Sequence, residues 1–273
     1  VGGKKKGKKN VLPEATYSVN ELKVNKTNLQ DYRRICGFAD NGQIPPTYFA
    51  VLSQSLQMNM MVDEAFPFAM LGLVHVANSV TQHRRIADSE VVSMRVSFAN
   101  LRDHDKGKQF DFVTEVYSGE ELVWEGTSTY LSRQKTESSG SKDSKPKTVN
   151  QKPDATKDDL HSIFAVPEDI GRRYAKISGD FNLIHIHAVT AKAFGFPKAI
   201  AHGMWSKAKC LSVMDLPEAY TVDVAFKLPI LLPSEVELIG DNLAKLQKDG
   251  TVEFDLYSAK NDKPHLAGTI KKL

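Results

Sequence analysis

Residues 172–204 read RRYAKISGDFNLIHIHAVTAKAFGFPKAIAHGM, and this stretch decides how the rest of the chain is interpreted. Asp180 and His185 stand five positions apart in a loop of small residues that interrupts a helix-like segment. A carboxylate and an imidazole that reach one water are what acid–base chemistry at neutral pH requires. The His202-Gly203 pair predicts the start of another helix, whose free N–H groups can bind an oxyanion. The stretch therefore predicts a catalytic site.

The composition is that of an ordinary globular protein. Of 273 residues, 41% are hydrophobic and 25% are charged, which suffices for one large domain or two small ones. The net charge is +3, and five lysines within residues 1–10 contribute +5, so the remainder carries about 3 − 5 = −2. A body without excess positive charge argues against nucleic-acid binding. We expect residues 1–10 to form a basic disordered tail.

Cysteine usage and hydropathy indicate an intracellular protein. Cys36 and Cys210 are too few for a disulfide framework and predict reduced thiols. The longest apolar stretch, 68–77, is too short to cross a bilayer, so we expect no transmembrane segment. No secretory signal is evident, and the C-terminal Lys-Lys-Leu resembles a peroxisomal address only poorly. A cytoplasmic location is therefore expected.

A polar segment divides the chain into two parts of similar length. Residues 133–159 contain almost no apolar side chains and predict a mobile linker. The linker separates residues 11–132 from residues 160–273, and each part is long enough for its own core.

The two parts resemble each other. Tyr32 and Tyr174 each begin the pattern Tyr-x-x-x-(Ser/Cys)-Gly, and Phe66-Pro67, ahead of an apolar helix-like run, has a counterpart in Phe196-Pro197. Alternating apolar residues then predict antiparallel strands at 110–117, 122–132, 236–239, 252–257 and 265–271. Each half is predicted to contain one central helix followed by an antiparallel meander.

The halves differ where the chemistry is expected. At the offsets of Asp180 and His185 the first half has Phe38 and Gln43, which cannot titrate in the same way. Between Phe38 and its Phe-Pro pair, the first half also has about a dozen extra residues, including the methionine-rich run 52–61. We therefore expect the second half to carry the site and the first half to have kept only the fold.

The second half resembles the MaoC-like dehydratases, also called hydratase 2 or (R)-specific enoyl-CoA hydratases. The family pattern is approximately Tyr-Ala-x-x-Ser-Gly-Asp-x-Asn-Pro-x-His … Gly-Phe … Ile-x-His-Gly-Met. The chain matches it at Tyr174, Ala175, Ser178, Gly179, Asp180, Asn182, His185, Gly195, Phe196, Ile200, His202, Gly203 and Met204. It departs at Leu183, where the family usually has proline, and this change should affect loop stiffness rather than chemistry. The first half matches only as the degenerate partner seen in two-domain members.

The resemblance implies an α+β double hot-dog fold. In each unit a central helix is wrapped by an antiparallel sheet, and the two units pair through their sheets as an intrachain pseudo-dimer. Further association into a homodimer is left open.

The resemblance also implies an activity, the reversible hydration of trans-2-enoyl thioesters to (3R)-3-hydroxyacyl thioesters in fatty-acid metabolism. Asp180 and His185 would hold and polarise the water that adds to C3, while a proton goes to C2. Asn182 would orient His185 or the water, and the Gly203 N–H would donate to the thioester carbonyl. The residues expected to bind substrate are Ser178, His202, Phe196 and Met204.

No cofactor or metal is expected. His187 and His202 could complete a metal site with Asp180 and His185, but the resemblance explains the latter pair without one. The carrier of the acyl group, CoA or acyl carrier protein, stays open, as does the acyl-chain length. The methionine-rich run either lines an acyl-chain tunnel, next to a helix near residues 71–79 that is broken by poor helix formers, or simply fills the core.

Two other function classes remain. A hot-dog thioesterase would use a carboxylate to direct water at the thioester carbonyl and would release free thiol. A non-catalytic acyl-binding module would fit the degenerate first half. The motif Ser-Gly-Asp-x-Asn-x-x-His at residues 178–185 favours the hydratase over both.

Overall fold

The computed structural model describes residues 11–70, 72–134, 152–154, 156 and 159–273. The first half consists of β1 (Thr16–Lys23), α1 (Lys26–Cys36), α2 (Tyr48–Val62), β2 (Leu73–Gln82), β3 (Val91–His104), β4 (Gly107–Ser118) and β5 (Glu121–Arg133). The second half consists of β6 (Leu160–Val166), α3 (Ile170–Ser178), α4 (Leu183–Ile186), α5 (Ala188–Ala193), α6 (Gly203–Leu211), β7 (Tyr220–Phe226), β8 (Ser234–Gly240), α7 (Ala244–Asp249), β9 (Thr251–Ser258) and β10 (Pro264–Lys272).

The ten strands of the described residues form one antiparallel sheet. Its order is β1-β3-β4-β5-β2-β7-β10-β9-β8-β6, so each half contributes five neighbouring strands. The two groups meet where β2 pairs with β7, and Ser79 lies opposite Asp223 at the middle of this seam. The strand order from one edge, β1-β3-β4-β5-β2, matches the order from the other edge, β6-β8-β9-β10-β7. In each half the innermost strand, β2 or β7, is the one that follows the helices. The strands predicted from alternating residues are confirmed as β4, β5, β8, β9 and β10.

The helices α1 and α3 occupy equivalent places in the two halves and contact each other. Each begins a few residues after the first strand of its half and ends at a glycine in the left-handed conformation, Gly37 (φ 93°) or Gly179 (φ 75°). Glycine adopts this conformation without steric cost, which explains the shared Ser/Cys-Gly pattern. Tyr32 and Tyr174 are buried on the facing sides of these helices, with ring centroids 6.3 Å apart.

The central helix of the first half is α2. Its sequence carries no charged residue, and an uncharged, largely apolar helix is stable when it is buried. Phe49 packs on the indole of Trp124 from β5, with ring centroids 5.5 Å apart. The polar side chains that α2 buries bond to each other, since Gln57 Nε2 donates to Ser53 Oγ at 2.9 Å. Met60 and Met61 are part of the core, and Met58 is only partly buried.

The prediction of a helix after Phe66-Pro67 is wrong. Residues 73–82 form strand β2, and the β-branched residues Val74, Val76 and Val80 favour that conformation. The sheet offers β2 two partners, β5 and β7, and this pairing outweighs the apolar run that suggested a helix.

The prediction that the methionine-rich run consists of extra residues of the first half is also wrong. The segment from Gly37 to the start of α2 at Tyr48 is short, whereas α4 and α5 lie between Gly179 and α6. The methionine-rich run is thus the first half's central helix, the counterpart of α6, and not an insertion. The second half has the additional segment, and this segment carries His185.

Parts of the predicted tail and linker fall outside the described residues. These are 1–10, 135–151, 155 and 157–158. Lys152, near the end of the predicted linker, pairs with Glu237 on β8 and with Asp262, so this point is attached to the second half. The domain boundaries themselves stay a prediction. No helix in the described part of the chain is long and apolar enough to cross a membrane.

Candidate active site

The loop after α3 is held by its own side chains. Ser178 Oγ accepts the Asp180 N–H at 3.2 Å, and Asp180 Oδ1 accepts the Asn182 N–H at 3.2 Å. Short polar side chains stabilise turns in this way. With Gly179 reversing the chain at the end of α3, these bonds give the Asp180 side chain a fixed place, where 30% of it stays exposed.

The short helix α4 presents His185. Asn182 caps α4, because its Oδ1 accepts the Ile184 N–H at 3.4 Å. The His185 Nδ1–H donates to the Ile200 carbonyl at 2.8 Å, which leaves the Nε2 lone pair as the basic atom. The Asn182 cap holds the turn from which the imidazole projects, and the orienting role predicted for Asn182 stays a prediction.

Close packing of α3 on α4 sets the position of His185. A Cβ added to Gly171 would lie 2.0 Å from the His185 carbonyl oxygen, a distance that requires the backbone to move. Only glycine allows this approach.

His202 ties the Asp180 loop to the start of α6. It occupies the cap position of α6, and its Nε2–H donates to the backbone carbonyl of Asp180 at 3.0 Å. Its ring stacks on the ring of His185 with centroids 3.7 Å apart and an interplanar angle of 23°. The Tyr174 ring also packs against the His202 ring, with ring centroids 4.9 Å apart. His202 is thus a buried part of the site's framework.

Burial keeps both imidazoles uncharged. It lowers the pKa of His185, opposed by the negative charge of Asp180 and by the Ile200 carbonyl. Burial lowers the pKa of His202 much further, and the neighbouring His185 acts in the same direction. The approach of His202 Nε2 to Asp180 Oδ2, 3.8 Å, is consequently not an ion pair at neutral pH. His185 is available as a base under physiological conditions.

Side-chain ligand atoms of Asp180, His185 and His202 all lie within 4.8 Å of one another. A carboxylate and two imidazoles can hold a metal ion, and they can equally hold and polarise one water. The expectation that the site works without a metal stays a prediction. His187, the fourth residue considered as a ligand, is the residue at which α4 gives way to α5 and lies outside this group among the described residues.

Gly203 is the first residue of α6, so its N–H takes no part in the bonding ladder of the helix. A Cβ at this position would lie 2.9 Å from the ring of Phe226 on β7. The helix start is therefore packed directly on an aromatic ring, and a side chain larger than hydrogen would disturb it. The arrangement is suited to donating a hydrogen bond to an oxygen that gains negative charge.

The remaining predicted residues divide into two groups. Ser178 is buried and belongs to the Asp180 loop, and Met204 is partly buried against the core. Phe196 follows α5, where its N–H donates to the Ala191 carbonyl at 3.0 Å, and no described contact joins its ring to Asp180 or His185. Its role in substrate binding stays a prediction.

Sequence reasoning missed two residues of the first half. Burial is the main influence on the pKa of His75 on β2 and of Tyr130 on β5, and the charge of Asp180 raises the pKa of both. Their rings stack with centroids 4.7 Å apart. No local pattern could have revealed them, because they reach the site only through strand pairing across the seam.

The fold is that of a hot-dog protein, and Asp180, His185 and His202 form one candidate site within it. Residues 134–228 match the family described as the MaoC like domain. The chain is 35% identical over 264 residues to a Mycobacterium tuberculosis protein named 3-hydroxyacyl-thioester dehydratase X, covering 96% of this chain and 91% of the relative. The chain belongs to the MaoC-like dehydratase family.

Solved structures agree with this assignment. The crystal structure of HtdX from Mycobacterium tuberculosis superposes with a TM-score of 0.80 at 34% identity, covering 94% of this chain and 99% of that one. A MaoC-like dehydratase from Phytophthora capsici gives a TM-score of 0.72 at 20% identity, with 96% of each chain covered, and shows the same fold. The predicted α+β hot-dog fold is confirmed.

Proposed function

We propose that this protein is a hydro-lyase that interconverts trans-2-enoyl thioesters and (3R)-3-hydroxyacyl thioesters in fatty-acid metabolism. One observation carries the proposal. The Nε2 lone pair of a neutral His185 lies in one group with the Asp180 carboxylate, beside the free N–H at the start of α6. The family and the activity in the name of the Mycobacterium tuberculosis relative support the same reaction.

In the hydration direction, Asp180 and His185 hold one water, and Nε2 of His185 takes its proton as the oxygen bonds to C3. The C2–C3 double bond then shifts electrons to the thioester carbonyl, whose oxygen accepts the Gly203 N–H. The protonated His185 then gives its proton to C2, which completes the addition and restores the neutral imidazole. Dehydration is the reverse, with the same groups returning the proton to the departing hydroxyl. No organic cofactor or metal takes part in this sequence of steps.

The two halves act as an intrachain pseudo-dimer. The equivalent order of strands from both edges and the antiparallel β2–β7 seam support this arrangement. A further homodimer of whole chains is an open alternative, to be settled by the molar mass in solution. The protein is proposed to work in the cytoplasm on an acyl thioester whose carrier is CoA or acyl carrier protein.

The test is the ultraviolet absorbance of the conjugated enoyl thioester, followed with trans-2-enoyl-CoA substrates of several chain lengths. Wild type is compared with Asp180→Asn and His185→Ala, and free thiol is measured in parallel. Loss of absorbance without thiol release, abolished in both variants, is the expected result. Thiol release would instead identify a thioesterase, and inactivity on both CoA and acyl-carrier-protein thioesters would identify a binding module.

A further inference from the structure

A β-bulge turns His75 toward the helices. In the β2–β5 pair, His75 lies opposite Tyr130 and Ala77 lies opposite Thr129, so Val76 is an extra residue without a partner of its own. Strict alternation would place His75 on the face opposite to Asn78. Because of the bulge, both lie on the side of β5 that presents Ser128 and Tyr130. Bulges commonly re-aim a side chain beside a functional site.

The position of His75 connects the first half with the site of the second half. One face of its ring stacks on Tyr130, at an angle of 13°. Its other neighbour is Phe226, with ring centroids 5.1 Å apart, and Phe226 is the ring on which Gly203 packs. The negative charge of Asp180 also raises the pKa of His75, which places the imidazole within electrostatic reach of the carboxylate.

One nitrogen of His75 has no partner. Burial, assisted by the charge of Lys207, lowers the pKa of His75 to about 4, so the ring is neutral at physiological pH. A backbone bond to Ala77 engages one ring nitrogen, and Nε2 is closed off from solvent without a hydrogen bond to any described residue. Because the bond to Ala77 raises the pKa of His75 and Nε2 has no partner among the described residues, we assign the ring proton to Nδ1 and the free lone pair to Nε2. Buried acceptors without a donor are rare because they are costly.

We propose that His75 is a substrate-contacting residue supplied by the first half: its Nε2 accepts a hydrogen bond from the C3 hydroxyl of the bound 3-hydroxyacyl thioester. This inference rests on the proposed function. A bare lone pair can accept only from a donor, and the hydroxyacyl group has one where the enoyl group has none. The C3 oxygen is also the atom that Asp180 is proposed to hold. Because Nε2 is closed off from solvent, binding requires a side-chain shift nearby, and the neighbouring Phe226 is only partly buried.

The experiment measures affinity in an Asp180→Asn background, where both ligands can be titrated without turnover. Titration calorimetry with a (3R)-3-hydroxyacyl-CoA and the enoyl-CoA of equal length is done with His75, with His75→Phe and with His75→Gln. Phenylalanine keeps the ring stacking and removes the acceptor, whereas glutamine keeps an acceptor. We expect His75→Phe to weaken hydroxyacyl-CoA binding about three- to tenfold and to leave enoyl-CoA binding unchanged. Glutamine should restore part of the loss.

Thermal unfolding separates this role from a structural one. Phenylalanine removes the unsatisfied acceptor at Nε2 but also the bond to Ala77, so the Tm of His75→Phe should lie close to that of wild type. Equal affinities with and without His75, or an equal loss for both ligands, would overturn the inference. Turnover of enoyl-CoA by wild type is measured in the same preparation: its absence would count against the proposed function, whereas normal turnover with unselective binding would count against His75 alone.

Discussion

Lys207 is fully buried on α6, and its replacement by methionine gives a stability change that depends on pH. Its Nζ donates to the Asn78 carbonyl at 3.2 Å, to Asn78 Oδ1 at 2.6 Å and to the Val222 carbonyl at 3.1 Å. It therefore ties α6 to both strands of the seam. Burial lowers its pKa from 10.5 to about 7, and the charge of Asp223 opposes the shift only in part.

The sign follows from the protons bound in each state. Between the folded pKa of about 7 and the unfolded value of 10.5, the unfolded chain binds more protons at Lys207. The stability of wild type therefore rises with pH in this window, by about 1.4 kcal/mol per pH unit at most. From about pH 7.5 to about pH 9.5 the Lys207 contribution grows by about 2.5 kcal/mol. Lys207→Met lacks this contribution, and its destabilisation relative to wild type should grow by that amount.

The assay is urea unfolding of wild type and Lys207→Met across this pH range, because other titrating groups cancel in the difference. Lys209→Met is the control: it removes another lysine of α6, one that lies over the Phe164 ring. A difference between wild type and Lys207→Met that does not change with pH would refute the reasoning. It would mean that the three oxygen acceptors keep the buried ammonium charged.

Two further predictions concern the position and the protonation of His185. Gly171→Ala should lower kcat about a hundredfold, because the new Cβ would lie 2.0 Å from the His185 carbonyl oxygen and must displace α4. A shift of about 1 Å at a catalytic group has effects of this size. Steady-state kinetics on a variant shown to be folded by circular dichroism checks this, and an unchanged kcat would show that the position of α4 does not control His185. The value of kcat/KM should stay high below pH 6.5, because burial lowers the pKa of His185, and it should fall only where that imidazole becomes protonated. An acid midpoint at or above pH 6.5 would show that burial does not lower this pKa.

Local patterns brought Asp180, Asn182 and His185 into one candidate site, and their roles stay predictions. The bonds from His185 to Ile200 and from His202 to Asp180 are long-range in sequence, but those that hold the Asp180 loop and cap α4 are short-range. The same holds for α1 and α3, whose ends are set by glycine. Period-2 alternation likewise identified five strands correctly, since the side chains of a half-buried strand must alternate.

Local patterns failed where tertiary contacts competed with them. The apolar run after Phe66 suggested a helix, and pairing with two neighbours made residues 73–82 a strand. The methionine-rich run, interpreted from sequence as an insertion, is the central helix α2, which packs on the sheet and leaves Ser55, Asn59 and Val62 exposed. Both errors concern apolar runs, whose composition does not distinguish a helix from a strand.

Residue types at fixed short spacings were enough to predict the family, which is confirmed, and to name Asp180 and His185 as candidate acid and base, whose roles stay predictions. Only the tertiary structure decided what the first half contributes. The bulge at Val76, the stacking of His75 on Tyr130 and the burial of Lys207 at the seam all arise from strands that are distant in the chain. Pairing across the sheet sets the orientation of a side chain and the polarity around it, and neither can be read from its neighbours in sequence.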